Sequence, residues 1–101
     1  MHRILSISLN WEYRFPEMST VDDTLNRLGG DWVRFSPYQW FFWTDLSQVK
    51  LRDELNASLS VPTHMIVTVL EPIAGFGATH QWIWDWLNAK MKDQLDSKFI
   101  S

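Results

Sequence analysis

The sequence predicts an α+β domain, helices layered on an antiparallel sheet, and three observations lead there. Short runs with apolar residues at alternate positions are interleaved with runs whose apolar residues recur every three or four positions. Pro and Gly punctuate the boundaries between them. One pair of strand-type runs is joined by only a few residues, as in a hairpin, whereas the other strand-type runs are flanked by helical ones. At 101 residues, with 46% hydrophobic and 21% charged residues, the chain suits one core, and residues 1–101 read as a single domain.

Each element has its own reason. In RILSISL, residues 3–9, Leu5, Ile7 and Leu9 alternate with Ser6 and Ser8, the pattern of a half-buried strand. NWEYRFPEMS holds Pro16 and no sustained period, so it reads as a loop. Ser19 or Thr20 is then the expected N-cap of a helix carrying Val21, Leu25 and Leu28 on one stripe, and Gly29 and Gly30 stop it. DWVRFSPYQWFFWTD reads as a hairpin turning at SPYQ, with Pro37 at the second turn position. Ser47 caps a second helix that spaces Leu51, Leu55 and Leu59 four apart, and Pro62 separates it from the apolar strand HMIVTVL. After the glycine-containing turn AGFGATH, a last helix sets Ile83, Trp86, Leu87, Met91 and Leu95 on one broad face, with Trp82 and Trp84 toward its margins.

Strand, helix, strand, strand, helix, strand is the order of a split βαβ, ferredoxin-like (βαββαβ) two-layer sandwich, here with an additional C-terminal helix. Right-handed crossovers would put both early helices on one sheet face and make the first and third strands central neighbours. The opposite face is left for the last helix or a second subunit to cover. The run Trp40 to Trp43 makes this pressing, because alternate side chains point to opposite faces and both would be aromatic. Trp40 and Phe42, with Trp84, are accordingly the expected interface residues of a homodimer.

Composition narrows the function classes. A formal net charge of −3 supplies no overall basic field for phosphate backbones, and the absence of cysteine excludes disulfides, thiolate metal sites and a cysteine nucleophile. No signal peptide or membrane-spanning run is legible, so the expected location is cytoplasmic, with no membrane partner. Seven Trp suit a chain with an interface to fill.

The strand ending SLN, the helix ending in Leu-Gly, GDWVRFSPYQWFFWTDLSQVKLRDEL, and HMIVTVL followed by a glycine-containing loop and WDWL together carry a resemblance. The chain resembles the small ferredoxin-like proteins of the superfamily that holds the CRISPR-associated spacer-integration subunit and the virulence-associated protein D toxins, above all its SinR-like bacterial members. The resemblance implies a homodimer, nucleic acid as a ligand and metal-dependent nuclease activity. It also implies an aspartate near the end of the first strand, where this chain has Ser8, or Asn10 if the register slips by two. Neither is the carboxylate a Mg²⁺ site relies on.

The candidates for chemistry are therefore Ser8, Asn10 and Glu12, the last bringing a carboxylate to the loop after the first strand. His2, His64 and His80 follow no metal-ligand spacing, and the glycines of AGFGAT lack the rest of a phosphate-binding motif, so no metal site and no cofactor are expected. Trp11, Tyr13 and Arg14 form the candidate nucleic-acid platform, since stacking aromatics beside a cation are what single strands use. The reading is a non-catalytic homodimeric interaction protein, with nucleic-acid association left open as a property of the dimer and a metal-dependent nuclease as the alternative.

Overall fold

In the computed structural model, the described residues are 2–12, 14–60, 63–70 and 81–100, with side chains described as far as 93. The elements run β1 (Arg3–Asn10), α1 (Met18–Arg27), β2 (Asp31–Ser36), β3 (Gln39–Thr44), α2 (Gln48–Ser58), β4 (His64–Leu70) and α3 (Gln81–Ile100). The strands form one sheet in the order β2-β3-β1-β4, with every neighbouring pair antiparallel. A small α+β architecture, compatible with the ferredoxin-like plan, is the result. β1 and β3 are the central neighbours, as expected.

Period-2 alternation sorts the strands into two faces. On the inner face Leu5, Ile7 and Leu9 of β1 join Trp40 and Phe42 of β3 beneath Val21 and Leu25 of α1 and Leu51 and Leu55 of α2. Both helices present the predicted stripes, so nine buried apolar side chains close into one cluster. Trp40 is fully buried because its indole N–H donates to Asp22 Oδ1 at 2.8 Å, which satisfies the one polar atom it carries inward. The other oxygen of Asp22 accepts from Arg34 at 3.0 Å, tying α1 to β2.

Two local devices shape the connections. Gly29 adopts φ 78° after α1, the left-handed conformation that glycine takes without penalty. A side chain at Gly30 would run into the Phe42 ring and lie 2.8 Å from the Trp43 carbonyl, so this glycine lets β3 pack against the chain entering β2. Ser47 caps α2 as predicted, accepting from the Lys50 N–H at 3.0 Å. Ser19 and Thr20 do not cap α1. The helix begins earlier, at Met18, with Glu17 as an N-cap that makes no side-chain bond. Its start is set by Pro16, which is buried and whose carbonyl accepts from the Tyr38 hydroxyl at 3.0 Å, so a tertiary contact decides where the first turn begins.

Candidate interaction surface

The outer face begins as a row of aligned residues across three strands. Ile4, Ser6, Ser8 and Asn10 of β1 lie between Trp43, Phe41 and Gln39 of β3 and Leu70, Thr68, Ile66 and His64 of β4. α3 covers one end of this row. Its Ile83 and Leu87 are buried against Ile4, and Phe35, Phe41, Trp43, Leu70, Trp84, Trp86 and Met91 pack around them. The helix therefore answers, for half of the sheet, what covers the aromatics on the second face.

Lys90 fastens that helix. Its Nζ stands 2.8 Å from Asp31 Oδ2, 5.6 Å from the Trp43 ring centroid and 5.8 Å from that of Trp86, with a side chain only 19% exposed. A cation held between two indoles and a carboxylate joins α3 to β2 and β3 at once. Burial works to raise the pKa of Asp31, but Lys90, the Trp86 indole and the Trp32 backbone N–H outweigh it and hold the carboxyl below 3.8. The Trp86 N–H is buried without a hydrogen-bond partner of full geometry, so it acts on Asp31 through its dipole.

The other end of the face is uncovered among the described residues. Ile66 is 65% exposed, and beside it stand Ser6, Ser8 and Thr68; the boundary with the end covered by α3 is Phe41, stacked on Phe35 with centroids 4.3 Å apart and planes 12° from parallel. His64 and Glu12 sit together at the rim with Nε2 and Oε1 3.2 Å apart. What results is a neutral surface of β-branched, hydroxyl and aromatic side chains on a rigid sheet.

The expected interface residues divide. Trp40 and Phe42 have no exposed surface and belong to the inner core under α1 and α2, so neither can meet a partner. The register places Phe41 and Trp43 on the outer side instead. Trp84 is half-buried in the seam between α3 and the sheet, and the exposed tryptophan of that helix is Trp82, at 53%.

The candidates for chemistry come only partly together. Ser8 and Asn10 share the outer face of β1, but the Asn10 side chain accepts from the Trp11 N–H at 2.9 Å and Glu12 turns to His64. No group of three His, Cys, Asp or Glu side chains converges among the described residues. Trp11 leans on Tyr38, with centroids 4.3 Å apart, and meets Phe15 edge-on at 6.3 Å, so it is partly consumed in packing. Arg14 and Phe15 are exposed, and Phe15 borders an open groove of about 390 Å³ that Tyr38, Asp22 and Arg34 also line. Tyr13, His80 and the AGFGAT loop lie outside the described residues.

Ile66, Asp31 and Lys90 are the residues that sequence reasoning missed. HMIVTVL carried a signal for the first, because a strand apolar on both faces at a sheet edge leaves one side to be covered. No family model, curated protein or solved structure matches the chain. Among the described residues no helix is long and apolar enough to cross a membrane.

Proposed function

We propose that this chain is a non-catalytic interaction protein of ferredoxin-like fold that works as a homodimer through the uncovered side of its sheet, where Ile66 stands on the edge strand β4. The observation that carries the reading is Ile66, a large apolar side chain 65% exposed in the middle of a strand and surrounded by neutral neighbours. A chain with a net charge of −3 repels its own copy wherever acids are displayed, and this face displays none at its centre. The strand order β2-β3-β1-β4, with α1 and α2 sharing the inner core, supports the ferredoxin-like assignment. The cysteine-free composition fits a cytoplasmic setting.

Sedimentation equilibrium at micromolar concentration tests the reading: a dimer is expected, and a strict monomer overturns it. A second reading, nucleic-acid association, is favoured by Arg14 and Phe15 standing exposed side by side at the mouth of the β1–α1 loop. Gel shifts with single-stranded DNA and RNA at low salt, where phosphate contacts are strongest, test it, and the absence of any shift removes it. The nuclease alternative has less support, because Glu12 is engaged by His64 and, among the described residues, no group of three His, Cys, Asp or Glu side chains gathers to hold a metal.

A further inference from the structure

The two edges of the sheet are built differently. β2 carries Asp31 and Arg34, both in ion pairs, and a register shift between Arg34 and Ser36 that bends its ladder. Charges and bulges are the devices by which proteins keep foreign strands off an edge. β4, the opposite edge, runs seven residues with no Pro, Gly, Lys, Arg, Asp or Glu, and its register with β1 is unbroken from Leu70 to His64. Among the described residues it is paired on one side only.

The direction of its free backbone groups follows from one contact. The Val67 carbonyl accepts from the Gln48 side chain of α2 at 3.0 Å, so it points away from β1. In an antiparallel ladder the outward positions alternate, which turns Met65, Val67 and Val69 toward the edge and leaves Ile66 and Thr68 bonded to β1. The carbonyl of Val67 keeps a second lone pair for another donor.

We infer that β4 is the dimer edge: it pairs antiparallel with β4 of a second copy about a two-fold axis at Ile66, joining two four-stranded sheets into one. This rests on the homodimer reading above and specifies its geometry. In that register Met65 faces Val67 of the partner through backbone hydrogen bonds, and the two Ile66 side chains meet across the axis. Ile66 is the one large apolar side chain of this strand left more than half exposed, and no other register sets it against its own copy. A second copy suits the edge because an isologous pair brings each group against a near-identical one, which a neutral strand tolerates and a charged one does not. The axis also keeps the two α3 helices apart. α3 packs at the Leu70 end, and Leu70 and its copy lie eight positions apart along the joined strands, roughly 27 Å at the rise of a strand.

The absence of cysteine from the chain makes the test direct. Across a two-fold axis, non-hydrogen-bonded partners have Cα atoms about 4.5 Å apart, within disulfide range. Ile66→Cys is therefore expected to oxidise almost completely to a covalent dimer under mild oxidant. Thr68→Cys, on the same face, pairs with position 64 of the partner, stands far from its own copy and is expected to stay monomeric on denaturing gels. Circular dichroism of both reduced variants controls for folding. Equal oxidation of the two overturns the proposed register. A wild-type dimer in which Ile66→Cys does not cross-link overturns the β4 edge and leaves the homodimer standing, whereas a monomeric wild type removes both.

Discussion

The inner and outer faces of the sheet are made from the same strands and end in different states. On the inner face two helices meet over Trp40 and Phe42, each burying an apolar stripe against the sheet. On the outer face one helix carries its tryptophans on several sides and, among its described residues, buries Ile83 and Leu87. The difference teaches that aromatic content does not measure how well a face is closed. Closure depends on how many elements the connections can bring to that side, and here they sent α1 and α2 to the same one.

Substitutions can break the comparison, beginning with the inner face. Phe42→Ala removes a fully buried ring from the centre of the larger cluster and is expected to cost about 3–5 kcal/mol in urea unfolding. Leu87→Ala acts on the smaller outer cluster and is expected to cost about 2 kcal/mol, the low end for a buried leucine, because solvent lies close on one side. If the two losses prove equal, the outer seam is as tightly closed as the core, and the contrast between the faces fails.

Lys90→Met keeps the stem and removes the cation that lies between Trp43, Trp86 and Asp31. The expected loss is about 1 kcal/mol at neutral pH, reduced further by salt. Its pH signature sharpens the assignment. Because the Asp31 pKa is lowered in the folded chain, its stabilisation is present in full above the ordinary value of 3.8 and is lost as pH falls through the folded value. Asp31→Asn should therefore flatten the acid limb of a melting-temperature profile and change little of its shape above about pH 5. An unchanged acid limb would show that Lys90 holds α3 through its indoles alone.

Ile66→Ser should have the smallest effect on the fold. At a dilution where monomer prevails, its unfolding free energy is expected to stay within about 0.5 kcal/mol of wild type, as for a surface position. The same variant at high concentration is expected to lose the concentration-dependent gain in melting temperature that dimerisation confers. A large loss at dilution would mean that Ile66 supports the monomer and is not a surface kept for a partner.

Much of the fold was legible because local chemistry marks it. Ser47 announced α2, and Gly29 announced the end of α1 by the conformation that follows the last turn. Alternation through Leu5, Ile7 and Leu9 set the inner face of β1. The start of α1 was misread because Ser19 and Thr20 are good caps locally, whereas the Tyr38 hydroxyl on Pro16, a contact across 22 positions, placed the helix earlier. The candidate site was less legible. Trp40 and Phe42 were assigned to the interface because alternation tells which residues share a face and not which face the helices cover.

By itself, then, the sequence determined the order of elements, the pairing of alternate residues into two faces and the neutrality of β4, since these follow from side-chain period and composition. Only the tertiary structure decided that Trp40 and Phe42 face inward, that α3 closes the Ile4 end of the outer face through Lys90, and that Ile66 remains exposed. Those outcomes depend on which elements meet across long separations, where burial and charge pairing act between residues that no local pattern connects.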